Sequence, residues 1–234
     1  MATGVLLVMA AFSLATLLTD PRFVASAGWD FALYRDAAAR WLHGAGFYSP
    51  EQLAGPYLNL TGVMYPPPTL LLFLPFTELP TVLWWAVPIG IVAWRVWTLR
   101  PSPWTWAGIA ACLAWPLTVE MIYNGKPALW IVAALALATR WPWVSVFVLA
   151  KASLFPFALV GVRNRSWWLA LGTCAVVSAL FLPMWPDWIA AVLNARGEFS
   201  GPLYSLRDVP ALCIPLIAWL GSSRARHRVS VIAT

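Results

Sequence analysis

Charge is what this 234-residue chain has least of: 10% of its residues are Asp, Glu, Lys or Arg, against roughly 25% in an ordinary soluble domain. Only two of its fifteen cations are lysines, and it has two histidines. The three cysteines, Cys112, Cys174 and Cys213, stand singly inside apolar stretches with no histidine near them, so no paired metal-ligand spacing exists. They read as small core residues. G-x-x-x-x-G-K-[ST], G-x-G-x-x-G and G-x-S-x-G are all missing, which excludes the usual soluble phosphate-loop and hydrolase signatures.

What the chain does have is apolar surface: 61% of residues are hydrophobic and the mean hydropathy is +0.74. These figures argue against a soluble globule and against disorder, and the expectation is an integral membrane protein. The net charge of +6 is spread over residues flanking apolar runs, where it reports orientation and not nucleic-acid binding. Seventeen tryptophans fit membrane interfaces, where the ring is buried and its N–H stays wet.

At about 20 residues per spanning helix, the expected architecture is all-α, a single domain over 1–234 with about seven or eight transmembrane or re-entrant helices. Residues 4–19 form the first apolar run, read as an uncleaved helix; a signal peptide cut near Ala25-Ser26-Ala27 is the competing reading. A polar loop follows over 20–65. Within it, residues 30–43 place Phe31, Tyr34, Ala38 and Trp41 on one helical face and Asp36, Arg40 and His43 on another, with Gly44 and Gly46 as stop signals. That pattern predicts an amphipathic helix lying at the membrane surface. Tyr65-Pro66-Pro67-Pro68 opens an apolar piece too short to cross, and spans are expected at 82–99, 104–121, 127–139, 143–162, 166–183 and 208–220. The 143–162 piece is expected to be two short helices meeting at Lys151. Arg95, Arg100, Arg140, Arg163, Arg165 and the tail 221–234 mark cytoplasmic ends, which places 20–65, 122–126 and a second loop over 184–207 outside.

Three places could carry chemistry. Asp30 could take a proton from a hydroxyl delivered from the aqueous side; the alternative is a helix N-cap. Lys151, a cation in apolar sequence, could meet a phosphate or snorkel to an interface. Asn124-Gly125-Lys126 between two spans could place Lys126 on a phosphate, or be a turn and nothing more. Lone His43 and His227 suggest no metal, and Asn59-Leu60-Thr61 fits a glycosylation pattern.

The order of these features is more specific than any one of them. Asp30, Tyr34 and Gly46-Phe47-Tyr48 in the first loop are followed by Tyr65-Pro66-Pro67, Asn124-Gly125, Lys151, Pro156 and Arg163 to Trp167. Over residues 1 to about 185 this resembles the membrane glycosyltransferases of family 87, C-type superfamily members that include polyprenyl-phosphate-mannose-dependent alpha-mannosyltransferases. The family turn usually reads Gly-Gln where this chain has Asn124-Gly125-Lys126.

The resemblance implies a multi-pass plasma-membrane enzyme with its active site at the extracytoplasmic surface. It would move a hexose, mannose in the commonest case, from a polyprenyl-phosphate sugar to a glycolipid or glycan acceptor with inversion. Asp30 would be the general base, and Tyr34, Arg35, Tyr65, Asn124, Lys126 and Lys151 the substrate-binding residues. No metal or other cofactor is implied; the lipid-linked donor is a co-substrate, the partners are donor, acceptor and membrane lipids, and no nucleic acid is involved. Family members are longer than this chain, so one alternative is a non-catalytic subunit or degenerate relative that binds lipid-linked sugars; a small-solute transporter is the third reading, since Lys151 and helices broken at Pro66-Pro68 and Pro156 could line a pathway.

Overall fold

A computed structural model describes residues 27–58, 61–196 and 207–222, together with positions 4, 8, 15 and 19. The expected first helix over 4–19 otherwise lies outside the described residues, as do Asn59, Leu60, much of the second loop and the tail beyond 222. The described chain is mostly helical, in keeping with the all-α expectation.

Helix α1, Trp29–Leu42, begins at Gly28, whose φ of 70° breaks the incoming chain, and carries Asp30 in its first turn and Arg40 in its last, each favourable to the helix dipole. It stops where expected: Gly44 takes φ 80°, and the Gly44 and Ala45 N–H groups donate back to Trp41 and Arg40 carbonyls. The short α2, Pro50–Ala54, is started by a capping box in which Ser49 and Gln52 bond each other's backbone N–H.

The interior is aromatic. Phe31 and Tyr34 of α1 pack on the short helix Pro67–Thr77 and on α3, Leu83–Leu99. Tyr34 stacks on Phe73 with centroids 4.8 Å apart, and Phe31, Phe76 and Trp130 surround Trp84 at 5.0–5.6 Å. The apolar face of α1 is therefore covered by protein; Trp41, expected on that face, is 37% exposed.

The expected span 104–121 is broken. It is α4, Thr105–Ala114, and α5, Pro116–Asn124, bent by 60°. Pro116 forces Trp115 into an extended conformation and then serves as the first residue of the next helix. Helix α6, Ala128–Ala138, is buried almost all round. The 143–162 segment is a hairpin, as the interruption predicts: a 3-10 helix Pro142–Ala150 reverses at Lys151 and Ala152–Gly161 returns beside it. Ser145 Oγ donates to Ala158 O at 2.7 Å across this hairpin, and Gly161 lies so close to Pro142 O that a Cβ would collide. Helix α7, Arg165–Leu180, leads into α8, Trp185–Asn194, and α9 is Val209–Leu220. Expected as loop, residues 185–194 are helical. The α8 helix docks on the first loop through Trp188 Nε1 to Met64 O, Asn194 Nδ2 to Gln52 O, and a two-residue parallel pairing of β1, Tyr57–Leu58, with β2, Ala195–Arg196.

No single described helix is long and apolar enough to cross a membrane. Two bent pairs have the length and composition together: α4 with α5, and Arg165–Leu180 with Leu182–Asn194, bent by 70°.

The elements share a polarity. The starts of α3, α6 and α9, the end of α5 and the reversal at Lys151 lie at one end. The α3 helix, 17 residues and so about 25 Å long, runs to the other. There Arg95 Nε donates to Thr139 Oγ1 at 2.7 Å and Ser102 N donates to Gly221 O, which brings together the ends of α3, α6 and α9.

Candidate functional site

At the first of these ends, charged groups meet that the sequence spaces far apart. Asp30, in the first turn of α1, is positioned by Gly28, whose N–H donates to Tyr123 O at 3.0 Å. It is the second residue of the helix, whose cap position is taken by Gly28, so the N-cap alternative is replaced. The Asn124-Gly125-Lys126 turn is fixed from the other side by two indoles of α3: Trp84 Nε1 donates to Gly125 O at 2.8 Å and Trp85 Nε1 to Ile122 O at 2.6 Å. Gly125 has φ 67°, and a Cβ there would come within 2.7 Å of Trp85 and 3.0 Å of Phe31. Only glycine satisfies both constraints.

Lys126 Nζ donates to Glu120 Oε1 at 2.8 Å, and Arg207 lies 3.6 Å from the other oxygen of Glu120. Lys151 is paired as well, with Asp208 Oδ2 at 2.5 Å, and both side chains are largely buried. Lys151, expected to meet a phosphate or to snorkel to an interface, thus has a carboxylate partner within the chain. The consecutive residues Arg207 and Asp208 thus join the α5 pair to the hairpin pair just before α9 begins. Both lysines of the chain are in this cluster.

Asp30 lies in the field of both lysine–carboxylate pairs. Burial pushes its carboxyl up to about 6; Lys126 and Lys151 oppose the rise, while Glu120 and Asp208 add to it. A carboxyl with that affinity is mostly ionised at neutral pH yet holds a proton far better than an ordinary aspartate. Asn124, one turn beyond Glu120, has a buried Oδ1 that accepts no hydrogen bond among the described residues. The arrangement offers a base, three cations and an open acceptor within one patch. Among the described residues no three His, Cys, Asp or Glu side chains converge as metal ligands would.

The other expected site residues lie elsewhere. Tyr34 and Tyr65 are buried at 5% and 8% exposure, with rings 5.4 Å apart in the aromatic core, so they support α1 instead of presenting a ring to a ligand. Arg35 is half exposed, bonded to its neighbour Asp36 at 2.9 Å and lying over Phe31. Glu120, Arg207 and Asp208 were not singled out from the sequence. Glu120 carried the same signal as Lys151, an ionisable group in an apolar stretch.

No family model matches the chain, and no curated protein and no solved structure matches it either.

Proposed function

We propose that the chain is a membrane-embedded glycosyltransferase that moves a hexose, mannose first among the candidates, from a polyprenyl-phosphate carrier to a glycolipid or glycan at the extracytoplasmic face. The observation that carries the reading is Asp30, raised to about 6 and surrounded by Lys126, Lys151 and their carboxylates. In the proposed reaction Asp30 accepts the proton of an acceptor hydroxyl as its oxygen attacks C1 of the sugar. The C1–O bond to phosphate breaks, and the electron pair leaves with the lipid phosphate. Lys126, Lys151 and Arg207 stabilise the charge that develops on that leaving group, and Asn124 Oδ1 accepts from a sugar hydroxyl. Glu120 and Asp208 hold the cations in place and keep the empty site near neutrality.

A bilayer location is supported by α7, where only Trp167 is buried while Trp168, Leu169, Val176 and Leu180 are each more than half exposed. A helix apolar on its outer faces needs an apolar surround. The mixed-charge end would then face outward and the arginine end the cytoplasm.

The test is transfer of radiolabelled mannose from polyprenyl-phosphate mannose to membrane lipids in reconstituted vesicles. Wild type should turn over, and Asp30→Asn should retain its fold and lose at least about 100-fold. Full activity in folded Asp30→Asn overturns the role of the base. Donor binding without turnover in wild type assigns the site to binding alone.

A further inference from the structure

The far end of α1 carries a second feature that the charged cluster does not use. Arg40 lies about 15 Å along the helix from Asp30. It lines an open recess of about 450 Å³ whose other walls are Ala45, Gly46, Tyr48, Pro50, Leu53 and Ala54. Its guanidinium is poorly satisfied. One Nη2 bond goes to Phe47 O at 3.2 Å, and Nε is buried with no acceptor.

Among the described residues no carboxylate pairs with Arg40. Asp36, one turn earlier, is bonded to Arg35, and Glu51, next to Pro50 in the wall, is turned to Ser49 Oγ at 3.3 Å. A half-buried cation without a counter-ion is costly, and an orphaned buried N–H adds to that cost. The recess is not a loose surface crease. The Gly44 turn and the α2 capping box fix its two sides, and Tyr48 is anchored below by donating its hydroxyl to Tyr65 O at 2.9 Å. Apart from Arg40 its walls are apolar or aromatic.

We infer that this recess binds an anionic group carried on an apolar body, a phosphate monoester of lipid type, with Arg40 as the recognising cation. Fork-shaped donors suit phosphate oxygens, and the apolar walls take the adjoining glycerol or acyl carbons. The site is separate from the Asp30 cluster and does not depend on the transferase reading.

The test uses the full chain in neutral detergent, with binding of dihexanoyl phosphatidic acid, dihexanoyl phosphatidylcholine and inorganic phosphate measured by calorimetry for wild type, Arg40→Gln and Ala54→Trp. Wild type should bind the phosphatidic acid, and Arg40→Gln should bind it at least tenfold more weakly. Ala54→Trp, which places an indole on an exposed wall residue of the recess and leaves Arg40 in the chain, should do the same, so the proposal stays testable if Arg40→Gln does not fold. Binding of inorganic phosphate as well would assign recognition to the anion alone, and binding of phosphatidic acid only would show that the apolar walls contribute. Equal binding of phosphatidylcholine, undiminished binding in both variants, or no binding of either phosphate probe overturns the proposal.

Discussion

The two ends of the molecule hold their charges in different ways. At one, Asp30, Glu120 and Asp208 are interleaved with Lys126, Lys151 and Arg207, and the pairs are partly or largely buried. At the other, Arg100, Arg140, Arg163 and Arg165 form no ion pair among the described residues. Arg95 there bonds to threonines, and Arg140 lies over the Trp141 ring at 5.0 Å. A buried charge persists only where a partner and hydrogen bonds replace its water, so mixed charge can be gathered inside. Charge of one sign without such partners stays at the surface, as Arg100, Arg140, Arg163 and Arg165 do; Arg95 is buried because the oxygens of Thr98 and Thr139 accept its N–H groups.

The contrast is sharpest at Lys151 and Asp208. Asp208→Ala leaves a buried ammonium without its carboxylate and should cost about 3–5 kcal/mol in thermal or denaturant unfolding. The double variant Lys151→Met with Asp208→Leu should recover most of that stability, and on the proposed transferase reading it should not transfer mannose. Single and double variants of equal stability would show that the pair is not buried as an ion pair.

Glycine substitutions give the next effect. Gly125→Ala combines the left-handed backbone cost with collision against Trp85 and Phe31, and should destabilise by about 2–4 kcal/mol. Gly44→Ala has φ 80° but nothing within 4 Å of its Cβ, so only about 1 kcal/mol is expected. Equal losses would mean that the turn under Trp84 and Trp85 is not tightly held.

The pH dependence of Asp30 follows from its raised carboxyl. The folded state favours the protonated form, so the stability from Asp30 is fully present below about pH 4 and is lost as pH rises through about 6. Asp30→Asn should therefore be more stable than wild type above pH 6, by on the order of 2 kcal/mol, with the gap closing below pH 4. On the proposed transferase reading, activity should run the opposite way and rise through about pH 6 as Asp30 ionises. A stability gap unchanged between pH 4 and 8 would contradict the raised carboxyl.

The smallest effect belongs to the arginine end. Arg163→Gln and Arg165→Gln, both exposed, should each change unfolding free energy by no more than about 0.5 kcal/mol. A loss above about 2 kcal/mol would show that this end is also an internal network.

Much of the helical layout was legible, because long apolar runs bounded by proline, glycine and arginine leave few alternatives. The expected spans 82–99, 127–139, 166–183 and 208–220 correspond to α3, α6, α7 and α9 within a few residues. The reversal at Lys151 was legible from a cation and Pro156 interrupting one run. The break at Trp115 was missed although Pro116 signals it, since hydropathy continues across the bend. Helix α8 was read as loop because ten residues between polar stretches resemble one.

Within the candidate site, Asp30, Asn124, Lys126 and Lys151 were legible as polar groups in exceptional places, while the packing of Tyr34 and Tyr65 in the aromatic core was not, because an aromatic beside a polar motif looks the same whether it lines a site or supports it. By itself the sequence determined that the chain is helical, where most helices run, and which ionisable groups stand in apolar surroundings. Only the tertiary structure decided that Glu120 holds Lys126 and that Asp208 neutralises a lysine 57 residues away. It alone placed Asp30 within the field of both pairs. Periodicity and local propensity act over a few residues, whereas charge pairing depends on which helix ends packing brings together.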